Sequence, residues 1–571
     1  MIYTVLILIG TLLLLWYMYD RFVQREHTLL INYPIIGRAR YFLEAVREPF
    51  RQYFGNEDIF ESRDKIEWVY KAARDKKTFI SFSPSEPQKL PKFMLKHAFA
   101  PLNDHEVSSI FSVTFGQNRR YPFKAKSIIS RSAMSDGAIS PEGTQAFTIG
   151  AYRGKFPINT GEGGLTSNFL VTHRSYDTSY MDIVPLKSWH IAMFKLLRIT
   201  FNTSFAISML KNIVLEHNLK DTYMFDRVKM CFYRINWNAP LSCFPIEKPS
   251  DVADIIFQIG SGLYGVRNEK GTFDMDRYKK AMRFCDMTEI KLAQGAKQTG
   301  GKLTKSKVTD AIAYFRGVTP HQDLYSPNRF PYANSIDELF DFIQMLQEAS
   351  GKPVGFKIVI SQKSDFEEIA HALKKRLMKK LSIPDFITVD GGEGGSATAP
   401  LELMEHVGLG IKDALFIVQD VLKSYGIRDE IKLIASGKVL TPDNVAILMA
   451  LGADMVAIGR GFMLSAGCIR AKVCSGIGKH QCPVGLATQD IKKRKGYIVH
   501  KYAKMVENYH KNLLQNMRTL LAVMGLHSTR DLNLEHLYLI DQDTHIYDDI
   551  KAYFDDKFQS TSQHKDRVTH L

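Results

Sequence analysis

Three cysteines near the carboxyl end of the sequence have the spacing of a metal-binding group. They are Cys468, Cys474 and Cys482, with five and then seven residues between them, and Pro483 follows the third. Three thiolates that converge on one point suit an iron–sulfur cluster, and proline after the last cysteine recurs in cluster-binding runs. A zinc site would need a fourth ligand, which His480 could supply. Three buried thiols without a metal are the remaining interpretation.

Two glycine turns just before these cysteines are typical of a phosphate site. The run IKLIASGKVLTPDNVAILMALGADMVAIGRGFM reads as strand, glycine turn, helix, strand and second glycine turn. At the last two strands of a TIM barrel, such loops commonly hold a phosphate. Gly437, Gly459 and Gly461 would let the backbone approach an oxyanion, and Arg460 would add charge. Either turn alone could equally be an ordinary strand end.

Two more glycine-rich loops follow strands, NTGEGG over 159–164 and DGGEGGSATAP over 390–400. Each places an acidic residue among glycines at the carboxyl end of a strand, where TIM-barrel enzymes perform chemistry. A flat ring across the barrel mouth needs close approach of the backbone, which glycine permits. Together with the phosphate site, these loops predict FMN as the cofactor.

The segment EIKLAQGAK adds polar residues to a strand and the loop after it. It contains Lys291, Gln294 and Lys297. A lysine that points into a barrel mouth is costly to bury unless it meets an anion or a reduced flavin. For Lys297, a solvated position on the loop is the alternative.

The elements that would position these residues alternate between strand and helix after Pro122. Eight strands are predicted, near residues 127, 156, 287, 323, 353, 385, 431 and 454. Eight βα units make a TIM barrel, whereas a doubly wound sheet shares the alternation but not the count. The predicted fold is therefore an α/β TIM (β/α)8 barrel with an N-terminal transmembrane helix, a helical N-terminal region and a C-terminal helical extension.

The first residues predict a membrane anchor. From Ile2 to Tyr19 no residue is charged, and this length is close to the roughly 20 apolar residues that span a bilayer. A cleaved signal peptide is the alternative, but no basic residue precedes the run and no small-x-small site follows it. The arginines just after the run favour a cytoplasmic body on a single-pass anchor in the cell membrane. They are Arg21, Arg25, Arg38, Arg40, Arg47 and Arg51.

The predicted organisation has five parts. They are an anchor over 1–20, a helical region over 21–114, the barrel over 115–490, a helical extension over 491–545 and a polar tail over 546–571. An aromatic-rich insertion over about 165–250 interrupts the barrel. We expect it to be a packed helical subdomain, with a dimer surface or an amphipathic membrane contact as the alternatives.

The composition excludes several classes of protein. The 571 residues are 45% hydrophobic and 24% charged, which is average for a globular chain, so disordered, collagenous and mostly transmembrane proteins are excluded. Six cysteines in this length do not indicate a disulfide framework. The net charge of +15 indicates an anionic partner, which could be nucleic acid, lipid headgroups, a phosphate cofactor or an acidic redox protein.

Several motifs, in order along the chain, resemble one family. SAMSDGAISPEGTQAFTIG, INTGEGG, EIKLAQGAK, SPNRFP, ITVDGGEGGSATAP and CIRAKVC…CPVGLATQD resemble the FMN-binding synthase domain of glutamate synthase, and more closely the stand-alone glutamate-synthase-related proteins of bacteria. The resemblance covers about 115–535. It implies an oxidoreductase that reduces 2-iminoglutarate, formed from 2-oxoglutarate and ammonia, to glutamate, with electrons passed through a 3Fe-4S cluster to FMN.

The resemblance also implies roles for individual residues. Glu162 and Lys297 would be catalytic, whereas Ser135, Lys291 and Arg316 would bind the substrate. The three cysteines would hold the cluster. The flavin contacts would be Ala133, Met134, Ser135, Gln294, Lys297, Asp390, Gly392, Ser436, Gly437, Gly459, Arg460 and Gly461.

The chain departs from the family pattern at several positions. Asp136 stands where the family usually has Phe, and Lys302 stands where a substrate-binding Gln is expected. The last two cysteines are farther apart than is usual, and the 165–250 segment is longer. Two alternatives stay open: a flavin enzyme that acts on another 2-oxo acid or imine, and a membrane-tethered binding protein without turnover.

The expected partners follow from two domains for which the sequence shows no motif. No glutamine amidotransferase domain fits the sequence, so ammonia would be free or come from a separate subunit. No GxGxxG dinucleotide motif is visible, so we expect electrons from another protein, such as an acidic ferredoxin-like donor that suits a basic surface. The membrane is a further partner, and nucleic acid is not expected.

Overall fold

In a computed structural model of the chain, eight parallel strands close into a barrel. Each barrel strand pairs with the next one in the chain, and the eighth pairs with the first. The strands are Ile129–Arg131, Ile158–Asn159, Ile255–Ile259, Met287–Lys291, Val354–Ile358, Phe386–Asp390, Lys432–Ser436 and Met455–Ile458. The structure describes residues 2–45, 62–79, 91–174, 177–201, 203–295, 298, 300–400, 402–404, 406–471, 473–475 and 481–558. The predicted TIM barrel is confirmed.

One of the predicted barrel strands was wrong. Leu324–Tyr325 lies outside the barrel, where it pairs antiparallel with Lys302–Leu303. The place of this strand is taken by Ile255–Ile259, whose five residues are all buried. This strand follows the long insertion, so the regular spacing that located the other strands did not point to it.

The helix after the first barrel strand begins at a clear N-cap. Ser140 caps the helix Pro141–Gly154 by accepting a hydrogen bond from Gly143 N, with proline at the first position. The other helices around the barrel are Met275–Met282, Asp310–Arg316, Ile336–Ser350, Lys363–Met378, Ile411–Ser424, Pro442–Ala450 and Arg460–Ser465. The N-terminal ones are Ile2–Met18, Thr28–Asn32, Gly37–Ala45 and Arg63–Ala73, and the C-terminal ones are Ile491–Arg494 and Val499–Val523.

A hairpin closes the end of the barrel opposite the site. Its strands are Val113–Phe115 and Phe123–Ala125. Phe115 packs its ring edge-on against Phe386 at 5.6 Å between centroids. Because this end is filled by side chains, only the carboxyl ends of the barrel strands remain open for chemistry.

The insertion is a packed subdomain that contains a sheet as well as the expected helices. The helices are Ser188–Thr200 and Thr203–Val214, and the antiparallel strands are Met181–Pro185, Met224–Asp226 and Cys231–Ile235. Phe194, Ala206, Leu210, Leu215 and Phe232 form its own small core. The strands escaped prediction because aromatic runs such as MCFYRINW fit either element.

The N-terminal helix stands clear of the body. A continuous helical stretch over Tyr3–Val23 is 21 residues long and apolar enough to cross a membrane, and 6% of its apolar window is buried. The same test is passed by a signal sequence. At its end the buried Asp20 pairs with Arg38 at 2.5 Å and accepts a hydrogen bond from Ile35 N at 2.9 Å.

The C-terminal region is more structured than expected. The helix Val499–Val523 packs on Pro141–Gly154 where Gly150 allows close contact, since a Cβ there would lie 2.6 Å from Val506. Strands Leu537–Ile540 and Ile546–Tyr547 then form a sheet with Lys92–Leu95. Residues 550–558, predicted as polar tail, are helical, and their Phe554 stacks on Phe416 at 4.1 Å.

Candidate active site

A buried ion pair lies at the barrel mouth. Lys291 ends the fourth barrel strand, and its Nζ lies 3.0 Å from Glu162 Oε1, with side-chain exposures of 7% and 19%. Two glycines enclose the carboxylate, because a Cβ on Gly260 or on Gly301 would lie 2.5 Å from a Glu162 oxygen. A larger residue at either position would therefore push the Glu162 carboxylate out of its place beside Lys291.

Arg316 reaches the same mouth from the end of the helix Asp310–Arg316. It is 4% exposed, and its Nη2 donates to Ser135 Oγ at 3.3 Å and to the Asp136 carbonyl at 3.4 Å. Its guanidinium lies over the Tyr264 ring at 5.1 Å. Burial lowers the pKa of Arg316, and Nε has no hydrogen-bond partner among the described residues. A buried guanidinium with spare donors suits a carboxylate ligand.

The unusual Asp136 is buried beside Arg316. Its Oδ2 accepts hydrogen bonds from Thr166 Oγ1 at 2.6 Å and Asn168 Nδ2 at 2.7 Å. Its Oδ1 has no hydrogen-bond partner in the part of the chain that the structure describes. Burial raises the pKa of Asp136, and this outweighs the opposing effect of the two hydrogen bonds.

The raised pKa of Asp136 predicts a pH-dependent stability. The folded state favours the protonated carboxyl, so this contribution is complete below the unfolded pKa of about 3.9 and is lost as pH rises through the folded value. We expect Asp136→Asn to gain stability relative to the natural chain as pH rises. Urea unfolding midpoints at several pH values between about 4 and 8 measure this, and a difference that does not change with pH would contradict it.

A polar network fills the barrel beneath the mouth, and sequence reasoning missed it. Glu289 accepts hydrogen bonds from Asn159 Nδ2 at 2.8 Å, Gln258 Nε2 at 2.6 Å and Thr388 Oγ1 at 2.5 Å. Lys357 is 5% exposed and lines the same interior space. The sequence did contain a signal for this network, because Asn159, Gln258 and Glu289 are polar residues inside short, largely apolar strand segments. Glu289 lies two residues before Lys291 and therefore on the same side of its strand.

The loops after the fourth and sixth barrel strands join at the mouth. Gly295 N donates to Asp390 Oδ2 at 2.9 Å, and the Gly295 backbone lies so close to Gly391 that no Cβ would fit. Gly392 N donates to the Leu409 carbonyl at 2.8 Å. Gln294 is half-buried beside them. Lys297 lies outside the described residues, so its predicted role stays a prediction.

The two glycine turns predicted to hold phosphate lie at neighbouring strand ends. Ser436 ends the seventh strand before Gly437, and Gly459 precedes the helix that begins at Arg460. Among the described residues, a Cβ on Gly459 would meet only Ser132 Cβ, at 3.8 Å, whereas a Cβ on Gly461 would collide with the Tyr509 hydroxyl. Gly459 therefore borders open space, and Gly461 is required for packing.

Arg460 crosses from this turn to the opposite loop. A Cβ on Gly395 would lie 2.8 Å from Arg460 Nη2. Ala133 lines the barrel interior, and the Met134 carbonyl accepts a hydrogen bond from Arg131 Nη1 at 3.1 Å. The barrel mouth is thus surrounded by the glycine backbone of these loops, by the exposed Arg460 and by the start of the helix Arg460–Ser465. This arrangement fits a flat group that carries a phosphate.

The three cysteines come within electrostatic range of one another. Burial raises the pKa of Cys468 to about 12, and the neighbouring Cys474 and Cys482 add to this. Burial raises the pKa of Cys474 as well, again with a contribution from Cys482. His480 lies outside the described residues. Three half-buried or buried thiols are a donor set that fits an iron–sulfur cluster, in which each sulfur binds a different iron.

A buried lysine links the cysteines to the mouth. Lys307 Nζ donates to the Cys474 carbonyl at 2.7 Å and to the Ala138 carbonyl at 3.3 Å. Gln489, after the last cysteine, donates to the Ile139 carbonyl at 2.9 Å and the Gly137 carbonyl at 3.2 Å. The cysteine segment therefore packs on the loop that also carries Ser135.

A TIM barrel with a buried ion pair and a buried arginine at its open mouth has the architecture of the barrel enzymes. The family described as the conserved region in glutamate synthase matches residues 85–527. A glutamate synthase large subunit-like protein of Bacillus subtilis is 31% identical over 558 residues, which is 90% of each chain. This chain belongs to the glutamate synthase family and is an oxidoreductase, which confirms the resemblance seen in its motifs.

Other relatives match about half of this chain. The archaeal glutamate synthase (NADPH) of Methanocaldococcus jannaschii is 32% identical over 284 residues, 49% of this chain and 51% of that protein. The chain thus spans about half the length of this relative. Among solved structures, a flavocytochrome b2 variant with sulfite bound has a TM-score of 0.42 at 12% identity over 90% of each chain. That likeness is too distant to support a functional argument.

Proposed function

We propose that this protein is a membrane-anchored, FMN-dependent oxidoreductase that reduces 2-iminoglutarate, formed from 2-oxoglutarate and ammonia, to L-glutamate. The observation that carries the proposal is the approach of two buried cations, Lys291 and Arg316, to one mouth beside Glu162. A dicarboxylate needs two such cations, and a dry pocket strengthens their charge-assisted hydrogen bonds. FMN bound at this mouth would supply the hydride, and a cluster bound by the three cysteines would supply electrons one at a time.

Each residue of the mouth has a proposed task. Arg316 binds one substrate carboxylate with its free Nε and with the Nη2 that now contacts Ser135. Lys291 binds the other substrate carboxylate, which replaces Glu162 as its ionic partner. Glu162 is then released from the ion pair, in the space that Gly260 and Gly301 leave for it, and holds the proton that the imine nitrogen takes up. Lys297 is proposed as a further catalytic contact.

The glycine loops are proposed to hold FMN. Its phosphate would lie between Ser436–Gly437 and Gly459–Gly461, with Arg460 adding charge. The remaining proposed contacts with the flavin come from the other loops at the mouth. They are Ala133, Met134, Ser135, Gln294, Lys297, Asp390 and Gly392.

Cys468, Cys474 and Cys482 are proposed to bind a 3Fe-4S cluster. The Lys307 and Gln489 contacts to the Gly137–Ile139 carbonyls support a short path from this cluster to the flavin. An acidic ferredoxin-like protein is the proposed donor, because the chain carries a net charge of +15. Ammonia would be free or supplied by a separate subunit.

A related 2-oxo acid is the second candidate substrate. Lys302, which replaces the expected Gln, is exposed and lies over the Tyr325 ring at 5.0 Å. We propose that it makes no contact with the substrate from this position. The mouth would then lack the polar contact that the family's Gln makes with the substrate. Smaller 2-oxo acids, which need fewer contacts, should therefore be tested alongside 2-oxoglutarate.

Anaerobic photoreduction followed by reoxidation tests the proposal. The purified protein should be yellow, bleach on photoreduction and regain its absorbance when 2-oxoglutarate and ammonium are added together. Pyruvate and oxaloacetate with ammonium form the comparison series. Faster reoxidation by one of these would favour the second candidate, and a colourless protein that takes up no FMN would contradict both.

Removing the apolar helix tests the membrane anchor. Because Asp20 is buried against Arg38, deletion should stop at Tyr19 so that this ion pair remains. We expect the chain without residues 2–19 to leave membranes in high salt with its flavin retained, since the barrel strands begin at Ile129. A truncated chain that stays in salt-washed membranes, or that loses flavin, would contradict this.

A further inference from the structure

The insertion presents an exposed apolar face on the helix Ser188–Thr200. Trp189, Leu196 and Ile199 are 54%, 65% and 78% exposed. At about 100° per residue they fall within about 80° of arc, together with Ala192. The opposite face supplies Phe194 to the small core of the subdomain. Such a wide exposed apolar stripe on a packed helix marks a contact surface.

The charged residues of the segment that forms this face all have one sign. Residues 183–215 contain no Asp or Glu, whereas they contain Lys187, Lys195, Arg198 and Lys211. Lys195 and Arg198 are exposed on the same helix as the apolar stripe. An apolar stripe with tryptophan, bordered by basic residues, is the composition of helices that lie in a membrane interface.

The face continues from the end of the apolar N-terminal helix. Phe22, in the stretch long enough to cross a membrane, packs edge-on against Phe201 at 5.1 Å between ring centroids. Phe201 directly follows the exposed helix and contacts Phe205 of the next one at 4.7 Å. On that next helix Ile213 is 46% exposed.

We propose that the helical pair Ser188–Val214 lies in the headgroup region of the same bilayer that the N-terminal helix crosses, with Trp189, Leu196 and Ile199 at the acyl boundary. This inference rests on the proposed membrane anchor and goes beyond it by adding a second membrane contact. Asp221, after the pair, binds Arg494 at 2.8 Å, so the contact is tied to the body of the enzyme. The barrel is thereby held in one orientation to the membrane.

Tryptophan quenching in nanodiscs tests the proposal with the full chain. Nanodiscs of phosphatidylcholine and phosphatidylglycerol, with and without brominated acyl chains, report contact with lipid. The Trp189 signal is the difference between the natural chain and Trp189→Phe. We expect brominated lipid to quench most of this signal, and we expect Leu196→Glu with Ile199→Glu to abolish that quenching. Met378→Glu, at another exposed apolar residue, should leave it unchanged.

The outcomes separate this inference from the anchor itself. The Trp16 signal is the difference in fluorescence between the natural chain and Trp16→Phe. Its quenching by brominated lipid reports whether the N-terminal helix is inserted. If Trp16 is quenched and Trp189 instead responds to aqueous iodide, the interfacial contact is wrong and the anchor stands. If Trp189 is shielded from both quenchers, a second copy of the chain covers the face and the inference is overturned. If neither signal responds to lipid, both proposals fail.

Discussion

Lys291→Met is expected to lower kcat/KM for 2-oxoglutarate by about 10²- to 10³-fold. This corresponds to about 3–4 kcal/mol, which lies within the cost of truncating one partner of a buried charge pair at a binding site. Lys291 is 7% exposed and pairs with Glu162, so its charge is not replaced by solvent. The loss should appear in both kcat and KM. Lys291 binds the substrate carboxylate, which affects KM, and in doing so releases Glu162 for proton transfer, which affects kcat. Steady-state kinetics with a fixed reductant measures both.

A matched lysine controls this result. Lys302→Met removes an exposed lysine that lies over Tyr325, and we expect a change of less than about threefold. Because Lys291→Met leaves Glu162 without its cation, the double variant Lys291→Met with Glu162→Gln checks that flavin content and thermal unfolding are retained. An equal loss in Lys302→Met, or no loss in Lys291→Met, would contradict the assignment of Lys291.

Cys474→Ser is expected to remove iron and to reduce donor-driven turnover by at least about 100-fold, because the cluster needs every thiolate ligand. The half-reaction of photoreduced flavin with 2-oxoglutarate and ammonium should change by less than about twofold, since it bypasses the cluster. Iron, zinc and labile sulfide analysis of anaerobically purified protein measures the first effect, and stopped-flow absorbance measures the second.

Cys243→Ser is the matched control, because this cysteine is half-buried in the insertion. It should keep both iron and turnover. About three iron and four sulfide per chain in the natural protein would support the family pattern. Zinc instead would favour a site completed by His480, and neither metal would mean that the three thiols are structural.

Local patterns predicted most of the barrel. Short apolar runs that alternate with helical patterns located seven of the eight strands to within a few residues, because those signals act over one element. The strand Ile255–Ile259 was missed and Leu324–Tyr325 was taken in its place. Ile255–Ile259 follows the long insertion, where the regular spacing of the βα units is lost, and local strand character does not reveal which strand the barrel encloses.

The sequence also predicted which cofactors the protein would bind and which residue types would form the site. The cysteine spacing, the glycine loops and the basic residues of EIKLAQGAK each depend on neighbours along the chain. Their motifs therefore predicted a family and a cofactor before any geometry was known.

Only the tertiary structure decided which side chains meet. Lys291 pairs with Glu162, Arg316 reaches Ser135, and Glu289 gathers donors from three other strands. These partners come from separate βα units, and barrel closure with its strand register brings them together. Burial then decides their charge behaviour, as for Asp136, whose raised pKa depends on the removal of water by surrounding elements. No local pattern encodes that removal, because it is a property of the packed barrel.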